Sequence, residues 1–278
     1  MTCDKRQAAG RKQRRVTLLA TCRLLFTTYF LLLAASCDLA PSAPPPPTLT
    51  VFAAASLADV FAEIGKGFEA ARPGVKVVFN FGGSQALRAQ LEQGAVADVF
   101  APASEAEMEK AAASGLVASG GARPFAVNRL VVILPKDNPA KVEKLEDLAR
   151  PGIKIVLAAE VVPAGQYTRA ALDKMEKQFG SGFKDRVLAN LASSEDNVRQ
   201  VVVKVQLGEA DAGFAYASDA LAAPELQTIP LPAEYNVVAA YPIAVLTSAP
   251  HPDLAAEFVE YVLSAEGQAA LTKWGFGK

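Results

Sequence analysis

Beyond residue 37 this 278-residue chain contains no cysteine, since Cys3, Cys22 and Cys37 all fall near the N-terminus. That excludes disulfides, thiol catalysis and cysteine-ligated metal from everything downstream. Histidine is nearly as scarce: His251, in the loop APHPD, is the only one. A Ser-His-Asp hydrolase using Ser56 or Ser84 would have to work through it, yet no G-x-S-x-G elbow is present. The apolar run Leu24–Ala35 has twelve residues, too few for a membrane-spanning helix of about 20. Positive charge is also in short supply. Residues 1–37 hold seven of the 28 basic residues and one of the 29 acidic ones, which leaves 21 against 28, a balance of −7, for the remainder. Such a balance provides no basic face for nucleic acid. Nor does it attract an anion over distance, so any anion site must work locally.

What the N-terminus does have is the pattern of an export signal. Lys5, Arg6, Arg11, Lys12, Arg14 and Arg15 precede the apolar run, and small residues then lead to Cys37. The ending LAASC resembles a bacterial lipoprotein signal, with Ala34 where leucine is usual. It implies that residues 1–37 are a signal peptide, that Cys37 is lipidated, and that the protein is tethered to a membrane on the periplasmic or extracytoplasmic side. Arg14-Arg15 leaves twin-arginine export open beside the general secretory route. Residues 38–48, DLAPSAPPPPT, read as a semi-rigid polyproline tether.

From Thr48 onward strand-like and helix-like segments alternate, which predicts an α/β fold with mainly parallel sheets. Leu49–Ala54 reads as a buried strand feeding a helix over Ser56–Ala71, with Leu57, Val60, Phe61, Ile64 and Phe68 on one face. Asp59, three residues after Ser56, predicts a capping box. Val75–Phe81 is the next strand, followed by the turn Gly82-Gly83-Ser84 and a helix over Ser84–Gln93. A strand over Asp98–Ala101 and a helix over Ser104–Ser114 come next. Strands are expected at Leu130–Leu134, Ile153–Ala158 and Ala212–Tyr216, and helices after Pro163 and over Asn197–Leu207. Asn236–Leu246 is a long apolar run, and His251–Phe276 reads as two helices, with Trp274 and Phe276 as their anchors. His251 itself is expected to face solvent, and Asp98 and Asp219 lie too far apart along the chain to suggest a metal site with Asp59. Four strand-to-helix junctions stand out, at Ser56, Ser84, Ala164 and Val198. A helix start exposes free N–H groups and the positive end of the peptide dipoles, and a serine there adds a hydroxyl donor. One such site is weak evidence; four suggest a receptor built around an oxyanion.

The stretches VFAAASL (51–57), FGGSQALRAQL (81–91), GAVADVFAPAS (94–104), VPAGQY (162–167), NVRQVV (197–202) and GEADAGFAYASDA (208–220) resemble the molybdate-binding proteins of bacterial ABC transporters. The resemblance spans residues 49–278. It implies a two-lobed type II periplasmic-binding-protein fold, with two mainly parallel sheets flanked by helices and joined by two crossover strands. The lobes would be 48–128 with 240–278, and 129–239. The implied ligand groups are the hydroxyls and amides of Ser56 and Ser84, the amides of Ala164 and Val198, and the phenol of Tyr216. The implied activity is capture of molybdate, and of tungstate, for an ABC permease, by a monomer without cofactor or catalysis. A receptor for sulfate or another tetrahedral oxyanion, and a secreted serine hydrolase, are the alternatives. A wall of donors without an acceptor would reject a protonated oxyanion such as hydrogen phosphate. Molybdate, tungstate and sulfate carry no proton near neutral pH, so only cavity size would separate them.

Overall fold

The computed structural model describes residues 46–278. The signal segment 1–37, Cys37 and all but the last three residues of the tether 38–48 lie outside the described residues. Among the described residues, no helix is long and apolar enough to cross a membrane.

The chain forms a two-lobed α/β fold around two five-stranded sheets. The first sheet holds β1 (Thr48–Ala54), β2 (Lys76–Gly82), β3 (Val99–Ala101), β4 (Arg123–Asn128) and β10 (Ala239–Val245), in the order β2-β1-β3-β10-β4. The second holds β5 (Leu130–Leu134), β6 (Ile155–Ala158), β7 (Leu191–Glu195), β8 (Ala212–Tyr216) and β9 (Gln227–Pro230), in the order β7-β6-β8-β5-β9. The helices are α1 (Ala58–Ala71), α2 (Ser84–Glu92), α3 (Glu105–Ala113), α4 (Pro163–Phe179), α5 (Phe183–Ala189), α6 (Val198–Gln206), α7 (Ala217–Ala222), α8 (Pro252–Leu263) and α9 (Ala265–Lys273).

Both sheets are mixed rather than mainly parallel. β1 runs parallel to β2 and β3, but β10 is antiparallel to β3 and β4. In the second sheet β6 runs parallel to β7 and β8, but β5 is antiparallel to β8 and β9. An apolar run carries no direction. β5 and β10 are the strands that arrive from the opposite sheet, so no helical crossover constrains them to run parallel. The outward passage is Arg129 alone, between β4 and β5; the return is residues 231–238, between β9 and β10.

Packing follows the apolar periodicity. β1 buries Leu49, Val51 and Ala53, and α1 buries Val60, Phe61, Ile64 and Phe68. Phe258 of α8 meets Phe61 and Phe68 edge-on, with centroids 6.1 and 5.3 Å away. Trp274 Nε1 donates to Glu63 Oε2 at 2.8 Å, and Phe276 packs against Tyr241 at 5.4 Å. The C-terminal helices therefore sit on the first lobe. Because β1, β2 and β3 are parallel, their carboxyl ends lie on one edge; so do those of β6, β7 and β8. The connections leaving such edges are where α/β folds place ligands.

Candidate functional site

The first connection departs from the expected geometry. Ala55–Leu57 forms a 3-10 turn, and the α-helix begins only at Ala58. Ser56 therefore lies inside a tight turn, and the capping box with Asp59 does not form. Each side chain has a partner elsewhere. Ser56 Oγ lies 2.9 Å from the Tyr241 hydroxyl, and the Asp59 carboxylate accepts from Arg199 Nη2 on α6.

The other junctions start true helices. Ser84 is the first residue of α2, and its Oγ accepts from the Ala103 amide at 3.0 Å. Pro163 opens α4, where it loses no helical hydrogen bond, and Ala164 follows. Val198 opens α6, which Asn197 caps by accepting from the Gln200 amide at 3.2 Å. Tyr216 ends β8 and is fully buried. The amides of residues 56, 84, 164 and 198 all fall in first turns, where no carbonyl lies behind them to receive the hydrogen.

Ser56, Ser84, Ala164, Val198 and Tyr216 line one cavity of about 20 Å³, and no charged side chain shares its wall. A single water needs about 10–15 Å³ on such a measure, so the space suits a compact guest and not an organic substrate. The Tyr216 hydroxyl has no hydrogen-bond partner among the described residues, although it is buried. Burial, and next the neighbouring Tyr241, hold its pKa well above the ordinary phenol range. It is a donor without an acceptor, which costs stability until a guest receives the hydrogen.

Charge stays just outside this wall. Arg199 Nε lies 2.9 Å from Asp219 Oδ1, and the same guanidinium holds Asp59. Burial pushes the Asp219 carboxyl up to about 6 against the pull of Arg199. Its Oδ2 also accepts from the Tyr216 amide at 3.2 Å. The Asp59–Arg199 pair joins the lobes, as does the bond from Gln85 Nε2 to the Asp196 carbonyl at 3.2 Å. A Cβ on Gly83 would stand 2.4 Å from that same carbonyl oxygen.

His251 stands at the entry to α8, its side chain 39% exposed, with Nδ1 3.3 Å from Asp98 Oδ1. Asp98 also accepts from the amides of Thr50 at 2.7 Å and His251 at 2.8 Å, which pins the loop. His251 does not line the cavity. Among the described residues, no three His, Cys, Asp or Glu side chains cluster as metal ligands. Sequence reasoning missed Tyr241, Arg199 and Gly83. Each acts through contacts distant in sequence, and no local pattern marks them.

A two-lobed fold with a small, uncharged, donor-lined cavity defines a binding protein, and the chain belongs to the bacterial extracellular solute-binding proteins, matched over residues 49–277. It is 42% identical over 232 residues to the molybdate-binding protein ModA of Mycobacterium tuberculosis (strain ATCC 25618 / H37Rv), covering 83% of this chain and 85% of that one. It is 33% identical over 231 residues to the putative ABC transporter substrate-binding lipoprotein YvgL of Bacillus subtilis (strain 168), covering 82% and 86%. Its fold is similar to that of the periplasmic molybdate-binding protein of Azotobacter vinelandii, with a TM-score of 0.73 at 22% identity, covering 83% and 99%.

Proposed function

We propose that this protein captures molybdate, and with it tungstate, between its lobes and delivers it to an ABC permease. The observation that carries this reading is the meeting of five donor-bearing residues from both lobes on one cavity without a charged side chain. A tetrahedral dianion needs many hydrogens directed inward and no lone pairs facing it. Amides at three α-helix starts and one 3-10 turn, two serine hydroxyls and one phenol supply them. The partial positive charge of each α-helix start contributes about 0.3–2 kcal/mol. The 42% identity to a molybdate-binding protein supports the choice of ion.

In this reading the lobes are residues 48–128 with 240–278, and residues 129–239. The protein performs no chemistry and acts as a monomer. It works outside the cytoplasm, anchored through a lipid on Cys37, a placement the lipoprotein relative supports. Calorimetric titration of the purified protein with molybdate, tungstate, sulfate and hydrogen phosphate tests the function. Molybdate is expected to bind tighter than about 10 µM, which corresponds to about −7 kcal/mol. Weaker molybdate binding, or preference for sulfate, would overturn the reading.

A further inference from the structure

A hydroxyl group donates one hydrogen bond and accepts up to two. A serine facing an oxyanion is therefore useful only if its hydrogen, and not a lone pair, points inward. Both serines of the cavity wall have a buried donor behind them. For Ser84 this is the Ala103 amide, 3.0 Å from Oγ, whose direction is fixed because an amide can only donate. For Ser56 it is the Tyr241 hydroxyl at 2.9 Å, where either oxygen could donate.

Burial of the Tyr241 hydroxyl favours one direction. Tyr241 is fully buried on β10 and does not line the cavity. Its phenol proton needs an acceptor, and Ser56 Oγ is within hydrogen-bond distance. Among the described residues the Tyr241 hydroxyl makes no other hydrogen bond, none with the neighbouring Asn128 included. Asn128 is engaged elsewhere too: its Oδ1 accepts from the Arg129 amide and its Nδ2 donates to Ser218 Oγ. Were Ser56 the donor, the phenol proton would be buried without a partner, and a lone pair of Ser56 would face the guest. With Tyr241 as donor, every group is satisfied once an anion accepts from Ser56.

We propose that Tyr241 is a specificity-determining residue: by donating to Ser56 Oγ it turns that hydroxyl into a donor, and so excludes oxyanions that carry a proton. The Ala103 amide does the same for Ser84. Hydrogen phosphate or hydrogen arsenate would bring an O–H that meets no acceptor. The inference rests on the oxyanion reading of the cavity, and it adds a residue that touches no ligand.

Tyr241→Phe removes one oxygen and keeps the ring packed on Phe125, Tyr216 and Phe276. Molybdate affinity and hydrogen arsenate competition are measured in the unmodified protein and in this variant. Molybdate affinity is expected to fall roughly 10-fold, the scale of one hydrogen bond to a charged group misdirected. Arsenate is expected to lose less or to gain, so the preference for molybdate narrows at least about 5-fold. In a Ser56→Ala background the same change is expected to leave the preference unmoved. Equal losses for both anions, or no change in either, would overturn the proposal while leaving the oxyanion reading intact. An unmodified protein that binds no molybdate would overturn both. Tyr241→Met, which fills the volume without a hydroxyl, gives the same readout should the phenylalanine variant not fold.

Discussion

Gly83 sits in extended backbone that alanine could adopt, yet a methyl group there would collide with the Asp196 carbonyl across the cleft. The collision exists only while the lobes are together. Gly83→Ala is therefore expected to weaken molybdate binding by at least about 10-fold and to change unfolding stability by less than about 0.5 kcal/mol. Calorimetry and urea unfolding separate the two, and a variant with unchanged affinity would show that the lobes need not approach so closely. Ser84 behaves differently, because its oxygen also serves the buried Ala103 amide. Ser84→Ala is expected to cost about 1–3 kcal/mol in urea unfolding as well as weakening binding. Four of the cavity residues were legible in the sequence as strand-to-helix junctions, at Ser56, Ser84, Ala164 and Val198, while Tyr216 followed from the family resemblance alone. Tyr241 and Arg199 were not, since their partners Ser56 and Asp59 lie 185 and 140 residues away. Asp59 illustrates the limit: its spacing from Ser56 fits a cap, but a guanidinium from the other lobe outcompetes two backbone amides.

At the scale of elements, the long periodic helices and apolar strands could be read from sequence to within a few residues. α1, α4 and α6 each show an unbroken apolar stripe. β7, LASSE, has only two apolar residues, and β9, QTIP, is short and largely exposed, so no apolar period marks them. β4 begins Arg123-Pro124, which reads as a loop, and is a strand because β10 pairs with it. The first helix start was misplaced because a 3-10 turn, Ala55–Leu57, precedes α1 and no residue pattern separates the two. Helix α6 depends on its own cap. Asn197→Ala removes the acceptor for the Gln200 amide and is expected to lower stability by about 0.5–2 kcal/mol in urea unfolding. It should also weaken binding, because it loosens the turn that presents the Val198 amide. Unchanged stability would mean that packing alone fixes the start of α6.

Across the whole molecule, the buried Asp219 carboxyl makes folding stability depend on pH. Asp219 titrates near 6 in the fold against 3.8 ordinarily. Between those values the folded protein keeps a proton that the unfolded chain has lost. The group's contribution to stability is thus fully present below about pH 4 and is lost as pH rises through about 6, by at most about 3 kcal/mol. Glu69, held low by the Val77 amide, and Glu63, held low by Lys273, act in the opposite sense and lose their contribution as pH falls. Asp219→Asn isolates the first effect. Relative to the unmodified protein, its unfolding free energy is expected to rise by about 1–3 kcal/mol between about pH 4 and about pH 7. A constant gap across that range would show that Arg199 fully compensates the buried carboxylate.

The wall around the guest has one further consequence. In the proposed site the grip at Ala164 and Val198 comes from main-chain hydrogens, which no ordinary substitution removes; among the twenty residues only proline lacks the group. Side chains at those two places are limited by the space of the cavity they line, not by any polar group they must carry. What inheritance must preserve there is the path of the chain, so distant descendants can keep the same cargo while little of their spelling survives.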